Sequence, residues 1–224
     1  MERVPEGCRT YDEFAFGIDT NRLPTSEALV GTSLAILHTD GRLALDFLDE
    51  GAVRWTDDSS SGVGLADVVE VAPSMYFIDL TFAERPLEAI TVVVDVGRGR
   101  ALLIRSYIRS AEEAGAEPRV AQDFWPGTVE GVEPRGFIPA PTRDLVGRRT
   151  WQTYSPAHVY EHTYLSSERY CWQCLVGVQR GHGFVDMASH YKISEGQYVF
   201  CFREFLIPVR WYSLFPENVS TGLS

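Results

Sequence analysis

Three landmarks occur twice in this chain, in the same order and at nearly one spacing. Pro24-Thr25 and then Leu29-Val30-Gly31 return as Pro141-Thr142 and then Leu145-Val146-Gly147, with the two glycines 116 positions apart. Trp55 and Trp172 are 117 apart, and Met75-Tyr76-Phe77-Ile78 and Gln197-Tyr198-Val199-Phe200 are 122 apart. Conserved order at conserved spacing points to an internal duplication. The competing explanation is a chance alignment of weak β patterns. A duplicated chain of 224 residues has to be two small units built on one plan.

The local pattern of each unit is β. Leu43, Leu45 and Phe47 alternate with Ala44 and Asp46, and residues 76–80, 90–94 and 102–104 are β-branched or aromatic runs. Thr39-Asp40-Gly41-Arg42 and Val96-Gly97-Arg98-Gly99 are turn signals between them. Strands recurring about every ten residues predict a sandwich or an up-and-down barrel. Residues 110–122 form the one plausible helical stretch, interrupted by Gly115 and Pro118. With Phe124-Trp125-Pro126-Gly127 and the Pro-rich run to Pro141 it reads as a connector. The expected division is therefore 1–122, a connector at 123–140, and 141–224. The second unit runs out of sequence early, so its last strand should be missing or short. The sheet edge left open would suit pairing with a second copy, and a homodimer is expected.

Charge separates the halves. Residues 141–224 carry 8 Lys/Arg against 7 Asp/Glu, whereas the preceding 140 carry 12 against 24; the second part also holds 15 of the 27 aromatics. An overall formal charge of −11 disfavours nucleic acid and anionic membrane surfaces as partners. No basic-then-apolar leader opens the sequence and no run of eighteen apolar residues occurs, so a cytoplasmic location is expected. Four cysteines are too few for a disulfide framework in a chain this long. The near-neutral, aromatic second half is the better place for a ligand cavity.

The richest segment there is His158 to Tyr164. His158-Val159-Tyr160-Glu161-His162 matches H-x-x-E-H, but the zinc chemistry of that motif needs a helix. Pro156 and the Val, Tyr and Thr content favour a strand, in which four residues span roughly 13 Å and no single metal is held. In a strand, His158, Tyr160, His162 and Tyr164 share one face and Val159, Glu161, Thr163 and Leu165 the other. If the first set faces a cavity, imidazoles and phenols are available for proton transfer and oxyanion stabilisation. If the second set does, Glu161 is a buried carboxylate with a raised pKa. The competing account is that the His/Tyr face only packs. Tyr160, Glu161, His162 and His158 are thus the candidate catalytic residues. Arg203 is the candidate anchor for an anionic group, and Tyr164, Trp172, Tyr198 and Trp211 are candidate walls for a flat ligand. Cys171 and Cys174 form a lone C-x-x-C whose thiols would point to opposite faces of a strand.

The stretches 14–24, Tyr76-Phe77-Ile78-Asp79, Asp144-Leu145-Val146-Gly147-Arg148-Arg149, residues 154–165, Tyr170-Cys171-Trp172-Gln173-Cys174-Leu175 and Arg203-Glu204 resemble the family of molybdenum cofactor biosynthesis protein F, the MoaF family. That resemblance covers nearly the whole chain. It implies two lipocalin-like (calycin) antiparallel barrel modules and a link to molybdopterin. The expectation is an all-β protein that binds a small hydrophobic or aromatic molecule, with no cofactor and no metal. It would act as an isomerase, cyclase or decarboxylase by general acid/base catalysis. A non-catalytic carrier or accessory protein for molybdopterin synthesis is the alternative.

Overall fold

The computed structural model describes residues 16–18 and 20–205, together with the backbone of two later strands at 210–215 and 221–223. The first half is a closed barrel in which eight consecutive antiparallel strands each pair with the next: β1 (Ser33–His38), β2 (Gly41–Phe47), β3 (Ala52–Thr56), β4 (Ser61–Ala72), β5 (Met75–Phe82), β6 (Glu88–Asp95), β7 (Arg100–Ile108) and β8 (Val120–Val129). Pairing of Ile36 with Val129 and of Leu37 with Thr128 joins β8 back to β1. Closure removes the sheet edges. Alternation along the strands sends Leu43, Leu45, Phe47, Val53, Val68, Ile78 and Leu80 to an aliphatic interior.

The second half repeats the meander as one curled sheet: β9 (Ala140–Pro141), β10 (Arg149–Ser155), β11 (His158–Tyr164), β12 (Arg169–Val176), β13 (Gly183–Ser194), β14 (Gln197–Arg203), β15 (Arg210–Phe215) and β16 (Thr221–Leu223). Strands β10 to β16 pair in order, and β9 attaches to β13 beside them. The final strand described is β16, and among the described residues it does not pair with β10.

The duplication holds at the level of single hydrogen bonds. Gly31 and Gly147 both take a left-handed backbone, φ 74° and 82°, which glycine adopts without a Cβ penalty. The Gly31 N–H donates to the Phe47 carbonyl at 2.8 Å, and the Gly147 N–H donates to the Tyr164 carbonyl at 2.8 Å. The return bonds, Phe47 N–H to the Thr32 carbonyl and Tyr164 N–H to the Arg148 carbonyl, also match.

Residues 123–129, assigned to the connector from the sequence, belong to β8 and complete the first barrel. Pro126 fits there despite lacking an N–H because it lies next to the point where β8 passes from β7 to β1. The helical stretch shrinks to one turn, α1 (Ala111–Ala114). Its Ser110–Glu113 capping box starts it, and Gly115, at φ 57°, ends it.

The two halves pack through their outer faces. Met75, Phe77, Val93, Leu102 and Ile104 of the first barrel meet Ile193, Val199 and Cys201 of the second, and Phe124 stacks on Tyr191 at 4.6 Å. This second buried face explains why β5 to β7 read as continuous apolar runs instead of alternating ones. Arg100 is buried at the seam: it pairs with Asp95 at 3.0 Å and donates to the carbonyls of Phe137 and Ile193. The segment at 16–26 straps the halves together. Ile18 is buried in the second core, the Asn21 side chain donates to the Thr153 carbonyl, Arg22 pairs with Asp67, and the Ser26 N–H donates to the Val68 carbonyl. No helix among the described residues is long and apolar enough to cross a membrane.

Candidate functional site

The repeat supplies an internal comparison, position by position. Strands β2 and β3 map onto β11 and β12 at an offset of 117, and β4 and β5 onto β13 and β14 at 122. The pairing registers agree: Leu45 faces Trp55 as His162 faces Trp172, Trp55 faces Gly62 as Trp172 faces Phe184, and Val68 faces Ile78 as His190 faces Phe200. Leu43, Leu45, Phe47 and Val68 of the first interior are thereby replaced by Tyr160, His162, Tyr164 and His190. Three aliphatic positions, Leu43, Leu45 and Val68, have thus become rings, and Phe200 lies 5.6 Å from His162 and 5.5 Å from His190, centroid to centroid.

The mouth of the barrel diverges more. In the first half Trp55 lies flat over Gly62 and Gly64. A Cβ at Gly62 would come 3.1 Å from its ring, and Phe82 and Arg85 cover it at 5.0 and 4.5 Å. The buried Trp55 N–H finds no acceptor among the described residues. The second half places Phe184, Asp186 and Glu204 at the positions of Gly62, Gly64 and Phe82. Trp172 now gives its N–H to Asp186 Oδ2 at 2.8 Å, and Asp186 Oδ1 accepts from the Phe205 N–H at 3.3 Å. With the apolar plug gone, a cavity of about 480 Å³ opens, lined by Trp172, Gln179, His182, Phe184, Asp186 and Glu204 together with Gly181 and Gly183.

Two carboxylates converge on that cavity. Burial raises the Asp186 pKa, opposed by the hydrogen bonds from Trp172 and Phe205. Burial, and secondarily the charge of Asp186, pushes Glu204 up to about 7. Glu204 makes no hydrogen bond to a described residue. Behind Trp172, the Tyr160 ring meets the indole edge-on at 5.8 Å, and its hydroxyl donates to Gln179 Oε1 at 3.4 Å. Burial holds that phenol far above its ordinary pKa.

The mouth of the first barrel also has a cavity, of about 320 Å³, but its charges satisfy one another. Arg85 pairs with Asp57 at 2.8 Å and with Glu88 at 3.3 Å, and Arg105 pairs with Glu88 at 2.7 Å.

Comparison with known proteins agrees with the two-part architecture. Residues 6–110 match the MoaF N-terminal domain and residues 139–219 the MoaF C-terminal domain. The chain belongs to the MoaF family. It is 34% identical over 170 residues to Protein MoaF of Klebsiella aerogenes, an alignment covering 71% of this chain and 63% of that protein. Among solved structures, the β chain of DNA polymerase III from Streptococcus pneumoniae aligns over 93% of this chain and 64% of its own. Its 10% identity and TM-score of 0.17 carry no argument.

Within this MoaF-family chain the residues expected from sequence are dispersed. His158, Tyr160, His162 and Tyr164 do share the inner face of β11, but only Tyr160 reaches the mouth, through Trp172 and Gln179. His158 Nδ1 is held by Ser155 Oγ at 2.8 Å. His162 is buried among Tyr170, Phe200 and Phe202, and burial drops its pKa to about 3. Tyr164 hydrogen-bonds Thr150 at 3.1 Å. Tyr198 stands at the far end of β14, bonded to Asp144 at 3.0 Å. Glu161 points out of the barrel, where Arg149 pairs with it. Arg203 alternates with Phe202 and Glu204 and so shares the outer face with Cys201; burial lowers its pKa. Neither Glu161 nor Arg203 therefore joins Tyr160 and His162 at one cavity. The Trp211 side chain lies outside the described residues. Asp186, Gln179 and His182 were not singled out from sequence, and Glu204 entered only as the neighbour of Arg203 in the family-like pair. The signal was present in the repeat: at an offset of 122, two acids stand where the other copy has Gly64 and Phe82.

Proposed function

We propose that the second barrel binds a small flat molecule at the mouth formed by Trp172, Asp186 and Glu204, and moves a proton on it. The observation that carries this reading is the convergence of two carboxylates, at positions that hold glycine and phenylalanine in the other half, on one cavity with an indole wall. Trp172 supplies the stacking face, fixed by its bond to Asp186. Glu204, whose pKa burial raises to about 7 and which has no hydrogen-bond partner among the described residues, gives and takes the proton. Tyr160 and Gln179 order the floor. An isomerisation or cyclisation by proton transfer needs no more than this. Membership of the MoaF family supports a role tied to molybdenum cofactor biosynthesis.

A carrier remains the second reading, favoured by the deeper interior, where Tyr164, Tyr170, Phe200 and Phe202 pack ring against ring and offer little chemistry. Native mass spectrometry of the purified chain identifies a retained ligand. Turnover of that ligand is then followed against pH in the wild type and in Glu204→Gln. The proposal expects a rate midpoint near pH 7 that Glu204→Gln abolishes, with ligand still bound. Unchanged turnover in Glu204→Gln refutes the proton-transfer role, and binding without any chemical change in the wild type establishes the carrier.

A further inference from the structure

Among the described residues, no arginine or lysine lines the mouth of the second barrel. Its ionisable lining groups are Asp186, Glu204 and His182. The nearest arginine in sequence, Arg203, points to the opposite face of β14, and Arg180, on the turn that carries Gln179 and Gly181, is exposed and is not part of the lining. A phosphate or carboxylate entering here would meet like charge in a partly desolvated site and find no guanidinium or ammonium to compensate it.

We propose, building on the reading of this mouth as the binding site, that its ligand is a planar nitrogen heterocycle or arylamine, neutral or cationic, that presents adjacent N–H donors to Glu204 and carries no anionic group inside the cavity. Four features carry the assignment. Asp186 commits an oxygen to each of the Trp172 and Phe205 N–H groups, so it orients the wall and keeps negative potential beneath it. Glu204 lines the cavity and makes no hydrogen bond to a described residue, and an ionised carboxylate matches two parallel N–H donors in the bidentate manner. The Trp172 ring gives a flat surface on which a cationic or electron-poor ring is attracted. About 480 Å³ accommodates one or two fused rings. The first barrel is the control: Phe82 and Arg85 cover Trp55 there, and Arg85 is already paired with Asp57 and Glu88, so the indole face is not offered to a ligand.

The test is isothermal titration of the whole chain with three probes built on one ring. 2-Aminobenzimidazole carries the N–H pair and a positive charge near neutral pH, benzimidazolone carries N–H groups without charge, and benzimidazole-2-carboxylate is anionic. The expected order is amine first, the neutral ring second, and the carboxylate at least tenfold weaker than the amine. Glu204→Gln should remove at least tenfold of the amine's affinity and strengthen binding of the carboxylate, and Glu204→Lys should invert the order. Circular dichroism and a thermal scan establish that each variant is folded. If all three rings bind and the carboxylate matches or exceeds the amine, the selectivity is wrong while the site stands. If none of the rings binds, or if Trp172→Leu leaves their binding unaltered, the site itself is wrong and the selectivity falls with it.

Discussion

Replacing His162 and His190 by the residues that occupy their places in the first barrel, Leu45 and Val68, should strip the second half of its acid sensitivity. Both imidazoles are buried, at 2% and 3% exposure, and both nitrogens of His190 and Nδ1 of His162 have no hydrogen-bond partner among the described residues. Burial lowers their pKa values from 6.5 to about 3 and about 4. The native state therefore binds fewer protons than the unfolded chain between pH 6.5 and those values, and stability falls as pH falls through that window. At pH 4.5 each histidine costs about 2.5 kcal/mol relative to neutral pH, or about 5 kcal/mol together, at 1.36 kcal/mol per unit. That is a large share of the 5–15 kcal/mol typical of a domain. Glu204, whose pKa is raised from 4.5 to about 7, acts in the opposite sense, gaining stability as pH drops, but it is common to both proteins and cancels in the difference. Urea unfolding of wild type and His162→Leu/His190→Val at half-unit steps should show the gap between them widening by about 5 kcal/mol from pH 7.5 to 4.5, with equal m-values. A gap that stays flat across that range would falsify the claim that both rings are held neutral by burial.

Two further outcomes test the frame around the site. Arg100→Met should cost about 1–3 kcal/mol, because the carbonyls of Phe137 and Ile193 would lose their donor and Asp95 would keep only Arg98, at 3.3 Å, as its guanidinium; a stability unchanged in chemical denaturation counts against the seam being fixed there. Gly64→Ala should cost about 1–3 kcal/mol, since the added Cβ would lie 2.6 Å from the Thr81 carbonyl oxygen; a thermal midpoint unchanged from wild type would show that β4 and β5 can part at no expense.

Much of this architecture was legible because it rests on period and repetition. Alternation at Leu43, Leu45 and Phe47 locates β2, and the Gly31–Gly147 spacing announces two copies whose turns share hydrogen bonds. The boundary at 123 was misread because Phe124-Trp125-Pro126-Gly127 carries turn chemistry, while its strand character depends on pairing with β7 and β1, which are distant in sequence. The inner face of β11 was readable as a set, but not its depth. Whether an inner residue meets a cavity or a ring depends on how far along the barrel it stands, so Tyr160 reaches the mouth and His162 does not. The acids were overlooked because Asp186 and Glu204 are ordinary when taken singly. They become unusual only when each copy is laid against the other.

The strap at the start of the chain has a consequence for the order of assembly. Asn21 and Thr153 are bonded across 132 positions. At synthesis rates of 5–20 residues per second, roughly 7 to 26 s separate the appearance of Ile18 from that of the strand beside it. The first barrel can close once Val129 is available, with its own lead-in still unplaced. The second half thus receives part of its core from a segment made before the first barrel. A cut or deletion ahead of Pro24 would take the Arg22–Asp67 ion pair from the first barrel, and from the second both the Ile18 side chain in its core and the Asn21–Thr153 bond.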